Sequence, residues 1–185
     1  MFCLTSANNL ITDSDNEIID RCLLDLGRHE SGALEELYRK TSTSIYSFAL
    51  SILKNTDDAQ DILHDSYVQI YSAAQNYSSQ KKPMAWILTV TKNLCLKKLN
   101  DKKRMTDANP QDFESLASFD PSVSAENKVI IEQCLNLLSD SERQIVILHA
   151  VSGFKHREIA HMLKIPVATV LSKYNRAIKK LQKIL

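Results

Sequence analysis

The stretch HREIAHMLKIPVATVLSKYNRAIKKL, residues 156–181, decides the fold of the C-terminal part of the chain. Ile159, Ala160 and Leu163 recur at helical spacing, and the pattern breaks at Lys164-Ile165-Pro166. Proline fixes φ and favours the start of a new helix, so a short turn is expected there. Val170, Tyr174, Ala177 and Leu181 then give a second helix its inward face. Ser172, Lys173, Arg176, Lys179 and Lys180 are left on the outward side. Ala160 is small where two helix backbones must approach closely. A helix of this width fits the DNA major groove, with basic residues gripping phosphates and N-terminal side chains reaching base edges. The plainer alternative is a helical hairpin with a solvated basic face. Turn, small residue and charge together favour DNA binding.

Working outward, Ser139-x-x-Glu142 reads as a capping box opening a helix through Ile145, Val146 and Leu148, with a stop at Gly153. Helical spacing is also expected over residues 129–138. Residues 105–126 carry two Pro, many Ser and Asp, and no sustained period, so they read as a flexible acidic linker. Upstream, Ser14-x-x-Glu17 is a second capping box, followed by an apolar face of Ile18, Ile19, Cys22, Leu23 and Leu26 with Gly27 as the stop. A helix over Ala33–Leu53 directs Leu34, Leu37, Tyr38, Ile45, Phe48, Ala49 and Ile52 inward. Thr56 is expected to cap a third helix that buries Ala59, Ile62, Leu63, Ser66, Tyr67, Ile70, Tyr71 and Ala74. After a polar loop, Pro83 suits the first turn of a fourth helix holding Trp86, Ile87, Val90 and Leu94. The expectation is an all-α protein of two small helical domains, 14–104 and 127–185, joined by the linker, the second carrying a helix-turn-helix.

Composition agrees. The 185 residues include four Pro and three Gly, too few for a turn-rich β fold. The net charge of +1 conceals segregation: residues 92–104 hold six basic side chains against Asp101, and residues 153–185 hold eight Lys or Arg against Glu158. Such separation suits different partners for different parts, nucleic acid among them. Cys3, Cys22, Cys95 and Cys134 are scattered without C-x-x-C, so neither a metal site nor a disulfide framework is expected. No apolar run reaches the roughly 20 residues of a membrane span, and no secretory signal opens the chain. A cytoplasmic protein without membrane insertion is expected. His156 and His161 do not share a helix face, and no H-E-x-x-H, Gly-rich phosphate loop or nucleophile elbow occurs, which disfavours an enzyme. No cofactor is expected.

The helix-turn-helix, extended back through LNLLSDSERQIVILHAVSGFKHREIA, resembles domain four of bacterial RNA polymerase sigma factors. DAQDILHDSYVQIY and KPMAWILTVTKNLCLKKL resemble domain two, and the two-unit layout looks like the extracytoplasmic-function group. The resemblance implies a non-enzymatic factor that gives core RNA polymerase its promoter specificity. It implies docking on the β′ clamp helices through Asp61, His64 and Asp65, where His64 stands in place of a usual Gln. Asp57, Asp61 and Asp65 would share one helix face. A further contact with the β flap, and an anti-sigma factor as partner, are also implied. Ser78, Ser79, Gln80, Lys81 and Lys82 correspond to the reader of the −10 element, where an unstacked base is captured. Asn93, Lys97 and Lys98 extend that DNA-facing surface, and Trp86 reads as core. Thr169, Ser172, Lys173 and Arg176 match positions that meet the −35 element, with Lys179 and Lys180 following. Leu171 departs from the usual Lys or Arg, and Lys155 from the usual Ser or Thr before the first motif helix. Two other readings stand beside this one: a stand-alone helix-turn-helix regulator, and an adapter that sequesters a polymerase subunit or regulator.

Overall fold

With few glycines to close helices, the chain places ordinary residues in the left-handed region. His29, Lys54 and Lys164 have φ of 61°, 57° and 55°, a conformation that strains an L-residue by roughly 1–2 kcal/mol. Each lies just beyond the end of a helix. The computed structural model describes residues 13–79, 82–106 and 137–183. Among them are seven helices and no strand: α1 Asp13–Gly27, α2 Ala33–Leu53, α3 Thr56–Ala74, α4 Pro83–Thr106, α5 Asp140–Ala150, α6 His156–Leu163 and α7 Val167–Leu181. The all-α expectation holds. Helices α1–α4 belong to one unit and α5–α7 to another.

In the first unit α2 packs against each of the other three helices. Its stripe of Leu37, Ile45, Phe48 and Ala49 is buried against Ile19 and Leu23 of α1, Ile62 and Ile70 of α3, and Ile87 and Leu88 of α4. Each fully buried aliphatic or aromatic side chain contributes about 1.5–3 kcal/mol. Polar groups inside this core are satisfied. The Thr41 hydroxyl donates to the Leu37 carbonyl at 2.7 Å and meets the Tyr67 hydroxyl at 2.7 Å. Ser66 Oγ donates to Thr91 Oγ1 at 3.3 Å, joining α3 to α4.

Several local expectations are corrected. Ser14 and Glu17 both lie in α1, which is described from Asp13. Asn55, not Thr56, caps α3: its side chain accepts from the Asp58 N–H at 2.8 Å, while Thr56 is buried as the first helical residue. Leu34, Tyr38 and Tyr71 are exposed rather than inward. Each sits one residue, about 100° of helix rotation, past a buried neighbour (Ala33, Leu37 and Ile70). Helix α4 is described as far as Thr106. The helical spacing expected over 129–138 lies outside the described residues up to 136, and Leu137-Leu138 form a turn and bend.

In the second unit the capping box is present. Ser139 Oγ accepts from the Glu142 N–H at 3.4 Å, and the Ser139 N–H donates to Glu142 Oε2 at 2.9 Å. Gly153 takes φ 71° in the turn after α5. Helix α6 ends at Leu163 and is capped by Lys164, whose N–H donates to the Ala160 and His161 carbonyls. Pro166 is the N-cap of α7 (φ −60°, ψ 145°), one position before the first turn proper. The fixed φ therefore sets the direction in which α7 leaves the turn. Leu138, Ile145, Leu148, Phe154, Ile159, Val170 and Ala177 are buried.

Gly27 does not stop α1 by a left-handed conformation; His29 takes that role. Its missing side chain lets α3 approach instead. A Cβ on Gly27 would come within 2.5 Å of the Ala74 carbonyl oxygen. Gly27→Ala should therefore destabilise the first unit by about 1–3 kcal/mol despite its better helix propensity. Urea denaturation followed by circular dichroism checks this; a stability equal to or above wild type would contradict the close approach.

Candidate nucleic-acid and docking interfaces

Helix α7 turns Val170 and Ala177 into the core and leaves Ser172, Arg176 and Lys179 exposed on the opposite side. Thr169 and Lys173 are half-buried along one flank. Two of the outward lysines are engaged with α5. Lys173 Nζ donates to Ser141 Oγ at 2.5 Å, and Lys180 Nζ donates to Glu142 Oε2 at 2.7 Å. Sequence spacing gave no sign of these links, because they join residues 32 and 38 positions apart.

Glu142 sits at the meeting point. It is 4 % exposed and accepts from Lys180 and from the N–H and hydroxyl of Ser139. The Lys180 hydrogen bond, helped by the Ser139 N–H and against the effect of burial, lowers its pKa from 4.5 to about 2. Lys155 makes no side-chain cap for α6. Glu158 Oε2 instead accepts from the Lys155 N–H at 3.0 Å.

An aromatic cluster not visible in the sequence supports the same helices. His149 and His156 stack at 4.4 Å, and Tyr174 meets both edge-on at 4.9 and 5.0 Å. His149 Nδ1 donates to the Phe154 carbonyl at 2.8 Å, which fixes its tautomer. His156 Nε2 is buried without a hydrogen-bond partner. Burial first, then the neighbouring His149, lowers its pKa. The cluster joins the ends of α5 and α6 to the middle of α7. Periodicity marks Tyr174 as inward but not its two histidine neighbours.

In the first unit Asp57, Asp61, His64 and Asp65 are exposed on α3, so the expected acidic face exists. Asp61 is also an intramolecular partner: Lys98 Nζ on α4 lies 2.7 Å from its Oδ2. Asp58, which the stripe of Asp57, Asp61 and Asp65 passed over, is mostly buried and pairs with Lys98 at 3.3 Å and with Lys102. Burial lowers the Lys98 pKa, but Asp61 and Asp58 outweigh it and raise the pKa overall. Lys98 is thus held against α3, whereas Asn93 and Lys97 are exposed. Before α4, Ser78, Ser79 and Lys82 are exposed; Gln80 and Lys81 lie outside the described residues. Tyr77 anchors this loop. Its hydroxyl donates to Asp20 Oδ1 at 2.6 Å, and its ring meets Trp86 edge-on at 5.1 Å. Trp86 is half-buried beside it. Among the described residues no cluster of three or more His, Cys, Asp or Glu is arranged to hold a metal, and no helix is long and apolar enough to cross a membrane.

Residues 37–105 match the family model for sigma-70 region 2, and residues 128–181 match that for sigma-70 region 4. The chain belongs to the sigma-70 family. The SigK sigma factor of Mycobacterium tuberculosis (strain H37Rv), of the extracytoplasmic-function group, is 23 % identical over 174 residues, covering 90 % of this chain and 93 % of the relative. SigK of Mycobacterium sp. (strain KMS) is 25 % identical over 178 residues, covering 90 % of each. In fold, the sigma factor resembles RpoE from Bartonella quintana, solved with the anti-sigma factor NepR. That match has a TM-score of 0.69 and 22 % identity over 81 % of this chain and 94 % of the other. It also resembles CnrH, solved with the cytosolic domain of CnrY, at a TM-score of 0.60 and 17 % identity over 90 % and 96 %. This sigma factor is a member of the extracytoplasmic-function group and directs transcription initiation. Its family consists of initiation factors rather than enzymes. Nothing in these matches favours the stand-alone regulator.

The depressed pKa of Glu142 has a stability consequence. The unfolded chain binds this proton near 4.5, the folded chain only near 2. The stabilisation is complete above about 4.5 and is lost as pH falls toward about 2. Glu142→Gln should lower the stability of the C-terminal unit at neutral pH and flatten its pH dependence across that window. Thermal melts at a series of pH values test this, and an unchanged slope would remove Glu142 as the source.

Proposed function

We propose that this sigma factor docks on core RNA polymerase through α3 and reads promoter DNA with both units. Domain two is assigned to 14–104, the acidic linker to 105–126 and domain four to 127–185. Asp61, His64 and Asp65 meet cationic side chains of the β′ clamp helices, and domain four meets the β flap. Ser78, Ser79, Gln80, Lys81 and Lys82, with Asn93, Lys97 and Lys98, take the −10 strand. Thr169, Ser172, Lys173, Arg176, Lys179 and Lys180 take the −35 duplex. The observation that carries the reading is the exposed row of Ser172, Arg176 and Lys179 opposite the buried Val170 and Ala177, on the second helix of a helix-turn-helix. An anti-sigma factor is a further partner, by analogy with the bound proteins of the two solved relatives. The protein works in the cytoplasm and needs no cofactor.

The ion pairs refine these roles. Asp61 holds Lys98, so a polymerase cation that takes up the Asp61 carboxylate competes with that lysine. Asp65 has no such link to α4 and isolates docking more cleanly. Asp65→Lys should reduce affinity for core polymerase by on the order of tenfold or more through like-charge juxtaposition, with helicity unchanged. Retention of the variant by immobilised core polymerase at wild-type levels would rule out α3 as the docking face. Because Lys180 is tied to Glu142, Arg176 is the better probe of DNA reading. Arg176→Ala should cost about 1–3 kcal/mol on a matched −35 duplex and little on a scrambled one. Equal losses on both duplexes, measured by electrophoretic shift with core polymerase present, would make Arg176 a phosphate contact.

A further inference from the structure

The outward side of α7 is not uniformly polar. Val167 is 37 % exposed and Leu171 42 % exposed. Asn175, one turn further, is also exposed. Residues four apart lie above one another on a helix, so these three form a row. The row runs beside the exposed Ser172, Arg176 and Lys179.

An isolated exposed aliphatic residue is ordinary. Here two branched aliphatic side chains and a carboxamide are aligned at the beginning and middle of a recognition helix, where side chains reach base edges. Beside them Arg176 suits a base edge and Lys179 a phosphate at the rim of the groove. Within the major groove only thymine offers a methyl group. Only adenine offers an N6 donor beside an N7 acceptor, the pattern that a carboxamide meets with two hydrogen bonds.

We propose that Leu171 and Asn175 are specificity-determining residues that read neighbouring A·T pairs of the −35 duplex. Leu171, with Val167 behind it, packs on a thymine 5-methyl group. The Asn175 carboxamide oxygen accepts from adenine N6–H, and its NH₂ group donates to N7. Four helical residues rise roughly 6 Å, so the two contacts fall about one to two base pairs apart at 3.4 Å per pair. This rests on the assignment of α7 as the −35 reader.

The test uses the full chain with core polymerase and duplexes carrying a randomised upstream element. Selection should recover A·T pairs at two nearby positions. On the selected duplex, replacing the thymine by deoxyuridine removes only the methyl group, and replacing the adenine by 7-deazaadenine removes only N7. Deoxyuridine should weaken wild-type binding roughly fourfold, the equivalent of one buried methyl, and should leave Leu171→Ala unaffected. 7-Deazaadenine should weaken the wild type and leave Asn175→Ala unaffected. Both variants lie at exposed positions, and circular dichroism checks that they fold. If selection enriches an element with no A·T preference, or the base analogues penalise wild type and variant equally, the proposal is overturned while α7 remains the reader. If no upstream element is enriched at all, the assignment of α7 fails with it.

Discussion

The buried carboxylate of Glu142 is the constraint on which the C-terminal unit depends. It closes the first turn of α5 through Ser139 and reaches across to Lys180 in the last turn of α7. A carboxylate that is 4 % exposed is costly to bury unless it is paired and hydrogen-bonded, and it has both kinds of partner. One end of the recognition helix is thereby tied to α5. The other end is set by Pro166, whose fixed φ directs the chain out of the turn, and Lys173 on Ser141 adds a tie between them. The stack of His149, His156 and Tyr174 fills the space behind the same helix. A reading helix has to present its side chains in a fixed orientation, and these contacts supply it.

The first unit uses charge differently. Asp58 and Asp61 hold Lys98, and Asp58 also holds Lys102, so α3 and α4 are joined by acids on one helix and bases on the other. The exposed members of such a network are individually weak. They can therefore exchange partners at small cost, which suits helices proposed to meet a polymerase and a nucleic acid.

Much of the fold was legible in the sequence because it rests on local signals. Helical periodicity located α2 and α3, Pro83 marked the start of α4, Ser139 and Glu142 marked α5, and the Lys164-Ile165-Pro166 break separated α6 from α7. Errors arose where periodicity is degenerate by one residue, as at Leu34, Tyr38 and Tyr71, or where two adjacent polar residues competed for one cap, as at Asn55 and Thr56. Gly27 was legible as special but not for its real reason, since close approach by Ala74 is a tertiary fact. At the sites, exposure of Asp65, Ser172, Arg176 and Lys179 followed from helix geometry. The engagement of Lys98, Lys173 and Lys180 did not, because each partner lies more than 30 residues away in the chain.

Run-off transcription is the most direct measurement of the central claim. Core RNA polymerase is combined with the purified chain on a linear fragment from upstream of the protein's own gene. The account predicts a transcript of one defined length that requires the chain and disappears when both Asp65→Lys and Arg176→Ala are introduced. Transcription that starts equally well without the chain, or a chain that binds the fragment but never directs core polymerase to a defined start, would contradict it.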